Sequence, residues 1–343
     1  MKNVIKVVWV LIGTIIGAGF ASGQEINLFF YSYGLNGIFG IILMSILTGI
    51  MVYKVLKISG KYNINNYREF LGHILRSQHN FLSTKKILNI QNAIVNVFLY
   101  ASFLIMVAGF ASFLKQEYNM NHFLGSIIIV VVFFAICIKK QNGLIKLNEI
   151  LMPILIGGIF FLGFVNMENI NGNVLDVLVK NNNSMWSIGA IIYFSYNFIV
   201  LIPILISLAG YVKSKKQIKG TAIITSGVIA ILAIIIYFML VNIDIDITLL
   251  DIPIMYSIKN INYSFAHIYS IIIIFAILTS CVSAGHSFLE NVCENKKSYP
   301  HIVVFMCITG VLISNFGFSN LVNLLYPTFG IIGILQIMLL IRA

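Results

Sequence analysis

The chain has 343 residues, of which 59% are hydrophobic and only 10% are charged, and its mean hydropathy is +0.96. This composition excludes an ordinary soluble domain and indicates an integral membrane protein, because a spanning helix needs about 20 mostly apolar residues. The formal net charge of +11 does not indicate a nucleic-acid partner, since most of the basic residues fall on one side of the predicted spans.

Ten apolar stretches are long enough to be spans, and together they cover most of the chain. No segment is left over for a soluble domain, so we predict a single transmembrane domain over residues 1–343. The predicted spans are 4–31, 35–57, 88–114, 122–138, 147–165, 184–211, 219–241, 265–290, 300–317 and 321–341.

The distribution of lysine and arginine predicts the orientation of these spans. With the N-terminus in the cytoplasm, 19 of the 22 basic residues fall on the cytoplasmic side, and only Lys115, Lys180 and Lys259 fall outside. This is the positive-inside bias, and it predicts that both termini are cytoplasmic. The Ile-, Asn- and Lys-rich composition is typical of an AT-rich bacterial genome, so we expect a bacterial cell membrane, with the lipid bilayer as the surrounding partner. The sequence makes no prediction of oligomeric state.

The first segment carries glycine at mid-depth, at Gly13, Gly17 and Gly19. Glycine weakens a helix, and a broken helix at membrane depth is tolerated only where protein or a cavity satisfies the freed backbone groups. We therefore predict a break with a binding site beside it. The amides of Gly17, Ala18 and Gly19 would lie at the positive end of a half-helix, which suits a carboxylate.

Glu25 is the one acidic residue that lies well inside the hydrophobic stretch of a span. An ionisable side chain inside the membrane is a functional hypothesis by default, and Glu25 suits either proton coupling or binding of a substrate amine. The alternative is a hydrated side chain near the outer mouth, which would hold Gln24 or a neighbouring helix end.

Two segments between the spans also predict short helices. Residues 67–76 carry apolar side chains at helical spacing among basic ones, which is typical of a helix on the cytoplasmic membrane face. After an acidic external loop, residues 252–256 predict a short helix that caps an outer vestibule, and the alternative is an ordinary solvated loop.

The sixth segment combines a proline with an amide at membrane depth. Pro203 removes a backbone donor and disfavours helical geometry at Ile202, and Asn197 lies six residues earlier. Interrupted helices at equivalent positions of two halves indicate an inverted-repeat transporter. We therefore predict broken helices 1 and 6, with repeat one at about 1–165 and repeat two at about 184–343. The alternative for the sixth segment is a simple proline kink.

The eighth segment places two hydroxyls on one helical face. Ala276, Thr279 and Ser280 are spaced i, i+3 and i+4, so they lie together. Hydroxyl and carbonyl oxygens suit a small cation. The alternative, which this segment alone favours, is a stripe of small residues for close helix packing.

Three short stretches resemble a known family. Residues 13–19 (GTIIGAG) resemble the broken first helix of LeuT-type sodium-coupled amino-acid transporters, in the amino acid–polyamine–organocation superfamily, and residues 275–280 (FAILTS) resemble the ion-binding stretch of their eighth helix. Residues 20–26 (FASGQEI) resemble the YkvI-like membrane proteins of that superfamily. The resemblance implies an all-α membrane protein of ten transmembrane helices in a five-plus-five inverted repeat. It also implies a sodium site built from the carbonyls of Gly13, Ile16 and Ala276 and the hydroxyls of Thr279 and Ser280.

The resemblance further implies that Tyr196 forms an aromatic lid over the substrate, with Asn197 beside it, and that the substrate is a small zwitterion such as an amino acid. Two positions depart from the family pattern. Phe20 stands where members with a second sodium site carry an amide, so no second sodium is expected. The family's gate arginine would fall at Gly23, so the outer gate is built differently or is absent. Tyr100 is the nearest candidate for the substrate-binding tyrosine of the third segment.

These features together predict a secondary active transporter that couples uptake of a small amino-acid-like solute to sodium by alternating access. No cofactor is expected apart from sodium as the coupling ion. Proton coupling stays open as an alternative, and so does a membrane receptor or sensor that binds amino acids without transporting them, as germinant-receptor subunits of the same superfamily do. An enzyme is not expected, because the sequence has no HExxH metal motif, no nucleotide-binding loop and no nucleophile–base signature.

Overall fold

The computed structural model describes residues 2–64, 66–76, 81–138, 143–168, 184–293 and 298–341, and all regular secondary structure in these ranges is helical. The α-helices, in chain order, are α1 (Lys2–Ile15), α2 (Ala18–Ser22), α3 (Gln24–Phe29), α4 (Leu35–Tyr62), α5 (Tyr67–Arg76), α6 (Phe81–Tyr118), α7 (His122–Ile138), α8 (Gly143–Glu168), α9 (Trp186–Leu208), α10 (Lys215–Val241), α11 (Pro253–Ile261), α12 (Tyr263–Val292), α13 (Tyr299–Ser314) and α14 (Phe318–Ile341).

The ten predicted spans coincide with α1–α3 together, α4, each of α6–α10, and each of α12–α14, which confirms their positions. The helix predicted at 67–76 is α5, and the short helix predicted after the acidic loop is α11.

Several basic residues used in the orientation argument lie outside the described residues. They are Lys139, Lys140, Lys180, Lys296, Lys297 and Arg342.

Helix length explains why some spans are harder to recognise than others. Within the described ranges, five helices are long and apolar enough to cross a bilayer alone, namely those at 35–62, 89–118, 186–211, 215–241 and 263–292. The pair α13 and α14 turns by 110° at residues 315–317, so the chain reverses there. The helices at 3–15, 122–137 and 153–168 are apolar but shorter, and the first of these is short because its span is broken.

The predicted break in the first span lies at Ile16 and Gly17. Gly17 is extended (φ −94°, ψ −170°), and its amide donates to the carbonyl of Ile15 instead of continuing the helical pattern. A second interruption follows at Gly23, whose φ of +87° is a left-handed conformation that glycine adopts without steric cost. The first span is therefore three short helices in succession.

The predicted break in the sixth span is not found, because α9 is one helix from Trp186 to Leu208 with Pro203 inside it. Pro203 removes one backbone hydrogen-bond donor. A membrane helix tolerates this loss where neighbouring helices or side chains satisfy the freed backbone group. The polar side chains before it are bonded within the helix, since Ser195 donates to the carbonyl of Ile191 and Asn197 donates to that of Tyr193. The simple proline-containing helix is thus the correct alternative.

Glycines of α14 let this helix lie directly against α9. A side chain on Gly330 would collide with Ile192, and one on Gly333 would come within 2.6 Å of the carbonyl oxygen of Ser195. Small residues allow this close approach of two membrane helices. The packing places Tyr326 of α14 beside the middle of α9.

Candidate ligand cavity at the broken helix

A cavity of about 890 Å³ runs alongside the first span and ends at Glu25. Its walls come from α1, α3, α6, α8, α9, α12 and α14. The lining residues at the start of α1, Ile5, Lys6 and Trp9, are exposed, whereas Glu25 at the opposite end is buried. We call the first end the inner end, because the charge count predicts it to be cytoplasmic, and the other the outer end. The volume lies within the range of small-molecule sites.

The break in the first span forms part of the cavity wall. Gly13 and Gly17 line it together with Ser280 of α12, and a Cβ atom built on Gly17 would lie 3.7 Å from the Ser280 hydroxyl oxygen. The sequence placed these groups in segments more than 250 residues apart, and the fold brings them into contact distance. Asn197 and Tyr196, both predicted to bind substrate, also line the cavity.

Other predicted site residues lie behind this surface. Ile16, Ala18, Gly19, Ala276 and Thr279 are buried and are absent from the cavity lining. The Thr279 hydroxyl donates to the carbonyls of Phe275 (2.8 Å) and Ala276 (3.1 Å). Since the hydroxyl proton is used within the helix, the oxygen lone pairs of Thr279 stay available as acceptors.

Glu25 lies at the closed end of the cavity, next to the break. Its side chain is 4% exposed, and its Oε2 accepts hydrogen bonds from Tyr196 (2.6 Å) and Tyr193 (3.3 Å) of α9. Its Oε1 packs against Gly19, where any side chain would collide with the carboxylate. Glu25 is therefore buried at the cavity end and bonded to the neighbouring helix α9.

Aromatic rings surround this carboxylate on the side of α3, α9 and α14. Tyr196 stacks on Tyr326 with ring centroids 4.7 Å apart and an interplanar angle of 10°. Tyr193 meets Tyr196 edge-on at 5.3 Å, and Phe29 packs against both rings at 5.3 and 5.7 Å. Phe98 of α6 adds a further ring, 6.3 Å from that of Tyr196 and packed against Phe329 at 4.9 Å.

Sequence reasoning missed several of these residues. Tyr193 had a signal, because it lies three positions before Tyr196 and hence on the same helical face. Tyr326 and Phe98 had none, since only the packing of their helices brings them to Glu25. Tyr100, the predicted third-segment tyrosine, instead donates to Thr309 at 2.6 Å and packs against Phe288, away from the cavity lining.

Polar side chains continue from the break toward the inner end. Three serines of α12 face the cavity, Ser280, Ser283 and Ser287, and Thr14 and Ser102 line it from α1 and α6. The apolar remainder of the wall includes Val200 and Met106. A solute that entered from the inner end would thus pass a partly polar surface before it reached Glu25.

The outer end is closed by hydrogen bonds that join three distant segments. The Gln24 amide donates to the carbonyl of Leu250 (2.5 Å) and to the hydroxyl of Ser319 (2.9 Å). Ser319 in turn donates from its hydroxyl (2.6 Å) and from its backbone amide (3.1 Å) to Asp251. We call Gln24, Leu250, Asp251 and Ser319 the outer clasp.

A second set of contacts fixes α11 over the same end. Gln116 of α6 accepts from the amide of Ile252 (2.9 Å) and donates to its carbonyl (3.1 Å). Next to it, Glu117 forms an ion pair with Lys259 of α11 at 2.8 Å. In the loop before α11, the backbone amide and hydroxyl of Thr248 donate to Asp246 and lower the pKa of that carboxyl. The short helix is present as predicted, and the outer vestibule that it would cap stays a prediction.

Sequence comparison identifies relatives of the chain among known proteins. No family model matches the chain. Two relatives from Bacillus subtilis (strain 168) are the uncharacterised membrane protein YkvI, 25% identical over 96% of this chain and 92% of its own length, and the uncharacterised protein YyaD, 23% identical over 95% and 93%.

Solved structures of transporters share the fold over nearly the whole chain. The inward-facing conformation of Mhp1 superimposes with a TM-score of 0.65 at 12% identity, over 96% of this chain and 73% of that one. A Na⁺-coupled sialic acid symporter gives 0.62 at 14%, over 96% and 75%, and a manganese transporter of Eremococcus coleocola gives 0.57 at 14%, over 97% and 77%. The chain is an all-α membrane protein with the LeuT-type transporter fold, and these neighbours are transporters rather than enzymes.

Proposed function

We propose that this chain is a secondary active transporter that moves a small amino-acid-like solute across a bacterial cell membrane by alternating access, coupled to sodium. The observation that carries the proposal is the cavity at the broken helix, whose lining is exposed at Ile5 and Trp9 and buried at Glu25, the residue next to the outer clasp. A site reached from one side at a time is what alternating access requires. The likeness in fold to symporters supports the same conclusion.

The described conformation corresponds to the inward-facing state of such a cycle, with the inner end in the cytoplasm as the positive-inside bias predicts. In support, the lining residues at the inner end are exposed, whereas the outer end is held by the hydrogen bonds of the outer clasp. Release of the outer clasp and closure around Ile5 and Trp9 would give the opposite state.

The solute would bind at the closed end of the cavity, between the first and sixth spans. The amides of Gly17, Ala18 and Gly19 lie at the start of the helix after the break. The Gly17 amide donates to the carbonyl of Ile15, so the amides of Ala18 and Gly19 would receive a carboxylate. Tyr196 and Asn197 form the facing wall. The buried volume and the mixture of apolar and polar lining suit a zwitterion with an apolar side chain.

Sodium would bind where α12 meets the break. The carbonyls of Gly13, Ile16 and Ala276 and the hydroxyls of Thr279 and Ser280 are neutral oxygen donors, which suit a small hard cation. The proximity of Ser280 to Gly17 supports this assignment, as does the orientation of the Thr279 hydroxyl, whose proton points to its own helix.

Removal of the two hydroxyls tests the sodium site. In purified protein, sodium at 100 times its Kd should stabilise the fold by about 2.7 kcal/mol relative to potassium, and Thr279→Ala combined with Ser280→Ala should abolish this difference. Ser270→Ala is the matched control, because Ser270 lies on the same helix, donates to the carbonyl four residues earlier and is outside the cavity lining. Unchanged sodium stabilisation in the double variant would reject the site.

Counterflow of radiolabelled amino acids in proteoliposomes tests transport itself. Exchange of external label for internal unlabelled solute is expected for a transporter, whereas a receptor or sensor would bind the solute without exchange.

Proton coupling is the second candidate for the driving ion, and the buried Glu25 carboxylate favours it. Sodium-independent, pH-driven counterflow would select the proton over sodium.

A further inference from the structure

The carboxylate of Glu25 lies at the end of the cavity without a cationic partner in the described part of the chain. The two tyrosine hydroxyls donate to Oε2, and no hydrogen bond within the described residues reaches Oε1. The ion pairs of Glu117 with Lys259 and of Glu290 with His286 do not involve Glu25. An anion buried in this way is costly unless a cation or a proton compensates it.

The groups that face Glu25 from the packed helices carry no positive charge. Tyr193 and Tyr196 reach it from α9, Tyr326 lines the same end from α14, and Phe29 packs on the tyrosines from its own helix α3. The lysine that lines the cavity, Lys6, is at the inner end among exposed residues. The closed end therefore presents one carboxylate among tyrosine hydroxyls and aromatic rings, with no positive side chain from these helices to balance it.

This arrangement favours an ammonium group over an anion or a neutral group. A carboxylate flanked by two hydroxyls and aromatic rings forms a site without positive charge. An alkylammonium would gain a charge-assisted hydrogen bond to the carboxylate there, and its apolar part would lie among the rings. A proton would neutralise Glu25 but needs neither the rings nor a cavity of about 890 Å³ beside them. The ligand that fits all of these features is larger than a proton and carries a positive nitrogen.

We propose that Glu25, oriented by Tyr193 and Tyr196, binds the protonated amino group of the solute, so that the ammonium group and not the carboxylate decides what is bound. This rests on the proposed function, whose site it shares. Solutes with a primary ammonium bind with or without a carboxylate, and solutes that carry only a carboxylate do not.

Four compounds of one carbon skeleton test this preference in purified protein, by the shift of melting temperature over a concentration series. Leucine carries both groups, isoamylamine keeps only the amine, isocaproate keeps only the carboxylate, and N-acetyl-leucine lacks the positive nitrogen. We expect leucine and isoamylamine to stabilise the protein. Stabilisation by isocaproate or N-acetyl-leucine at equal concentration, or by none of the four, would overturn the proposal.

Glu25→Gln keeps the size of the side chain and removes its charge. It should weaken leucine and isoamylamine binding by about 10- to 100-fold, as expected for loss of a hydrogen bond to a charged group. Glu290→Gln is the control, because Glu290 is an exposed acid on α12 outside the cavity lining, and it should bind both compounds as the wild type does. If Glu25→Gln does not fold, Tyr196→Phe removes the 2.6 Å hydrogen bond and keeps the ring, and it should lower both affinities several-fold.

Counterflow with the same compounds separates this proposal from the proposed function. Binding of leucine and isoamylamine without exchange would reject transport and leave the ammonium site intact. Exchange that Glu25→Gln leaves unaltered would keep transport and reject the ammonium site. If Glu25→Gln binds both amines normally and loses only the pH dependence of exchange, the carboxylate is a proton carrier and the proposal is overturned.

Discussion

The first and the sixth membrane spans both carry helix-weakening residues at mid-depth, yet only the first is interrupted. In the first span, Gly17 is extended and Gly23 is left-handed, and the chain resumes each time as a short helix. In the sixth span, α9 continues through Pro203 and its polar side chains bond to their own backbone.

The difference teaches that one missing donor does not break a membrane helix. A break needs a backbone that leaves the helical region and tertiary partners that hold it there. Gly23 has both, because Ile254 of α11 and Leu240 of α10 pack on it. Pro203 removes one hydrogen bond from an otherwise intact helix.

Gly23→Ala should give the largest effect on the broken span. A left-handed backbone costs about 1–3 kcal/mol for a non-glycine residue, and overpacking costs about 1–3 kcal/mol more, since the new Cβ would lie 2.7 Å from Ile254. The melting temperature in detergent should fall strongly.

The control for Gly23→Ala is Gly60→Ala in α4, where no neighbour lies within 4 Å of the added atom. This variant should be neutral or slightly stabilising, because alanine favours a helix over glycine. Equal melting temperatures for the two alanine variants would show that the left-handed conformation of Gly23 does not require glycine.

Gly19→Ala should have a smaller effect on stability but a specific one on binding. The added methyl collides with the Glu25 carboxylate, so the carboxylate must move, at an overpacking cost of about 1–3 kcal/mol. Isoamylamine stabilisation should be reduced together with the melting temperature.

Gly17→Ala is the comparison for Gly19→Ala, two residues away in the same break. Its Cβ would make only an ordinary contact with Ser280 at 3.7 Å, and the extended backbone of Gly17 suits any residue. Isoamylamine binding should be retained. Equal losses in both variants would mean that the break as a whole, and not the Glu25 position, controls binding.

Pro203→Ala in the sixth span should have the smallest effect. The helix is already continuous, so the new amide adds at most one hydrogen bond, worth about 0.5–1.5 kcal/mol. The melting temperature should rise slightly and counterflow should persist. Loss of exchange with a higher melting temperature would instead indicate that the sixth span must bend during transport.

The sequence predicted what depends on local pattern. Apolar runs located the spans, glycine density located the break at Gly17, and the rarity of acids inside spans singled out Glu25. It could not predict the rings of Tyr326 and Phe98, because these reach the cavity only through helix packing.

The outer clasp was also beyond prediction, for the same physical reason. Gln24, Asp251 and Ser319 come from three segments, and each is an unremarkable polar residue until the fold joins them. The sixth-span break was predicted wrongly. A proline alone removes one backbone hydrogen bond, and that is not enough to interrupt a helix whose neighbours hold it in place.

Gln24 and Glu25 are consecutive residues at the start of α3, and their side chains contact different parts of the molecule at the outer end. Gln24 holds the outer clasp through Leu250 and Ser319, while Glu25 reaches back to the tyrosines of the cavity. The residue that holds the outer clasp is therefore joined directly to the residue that carries the cavity carboxylate. A solute bound to Glu25 would act on the same short helix whose first residue holds the outer clasp. We therefore expect solute binding and release of the clasp to be coupled.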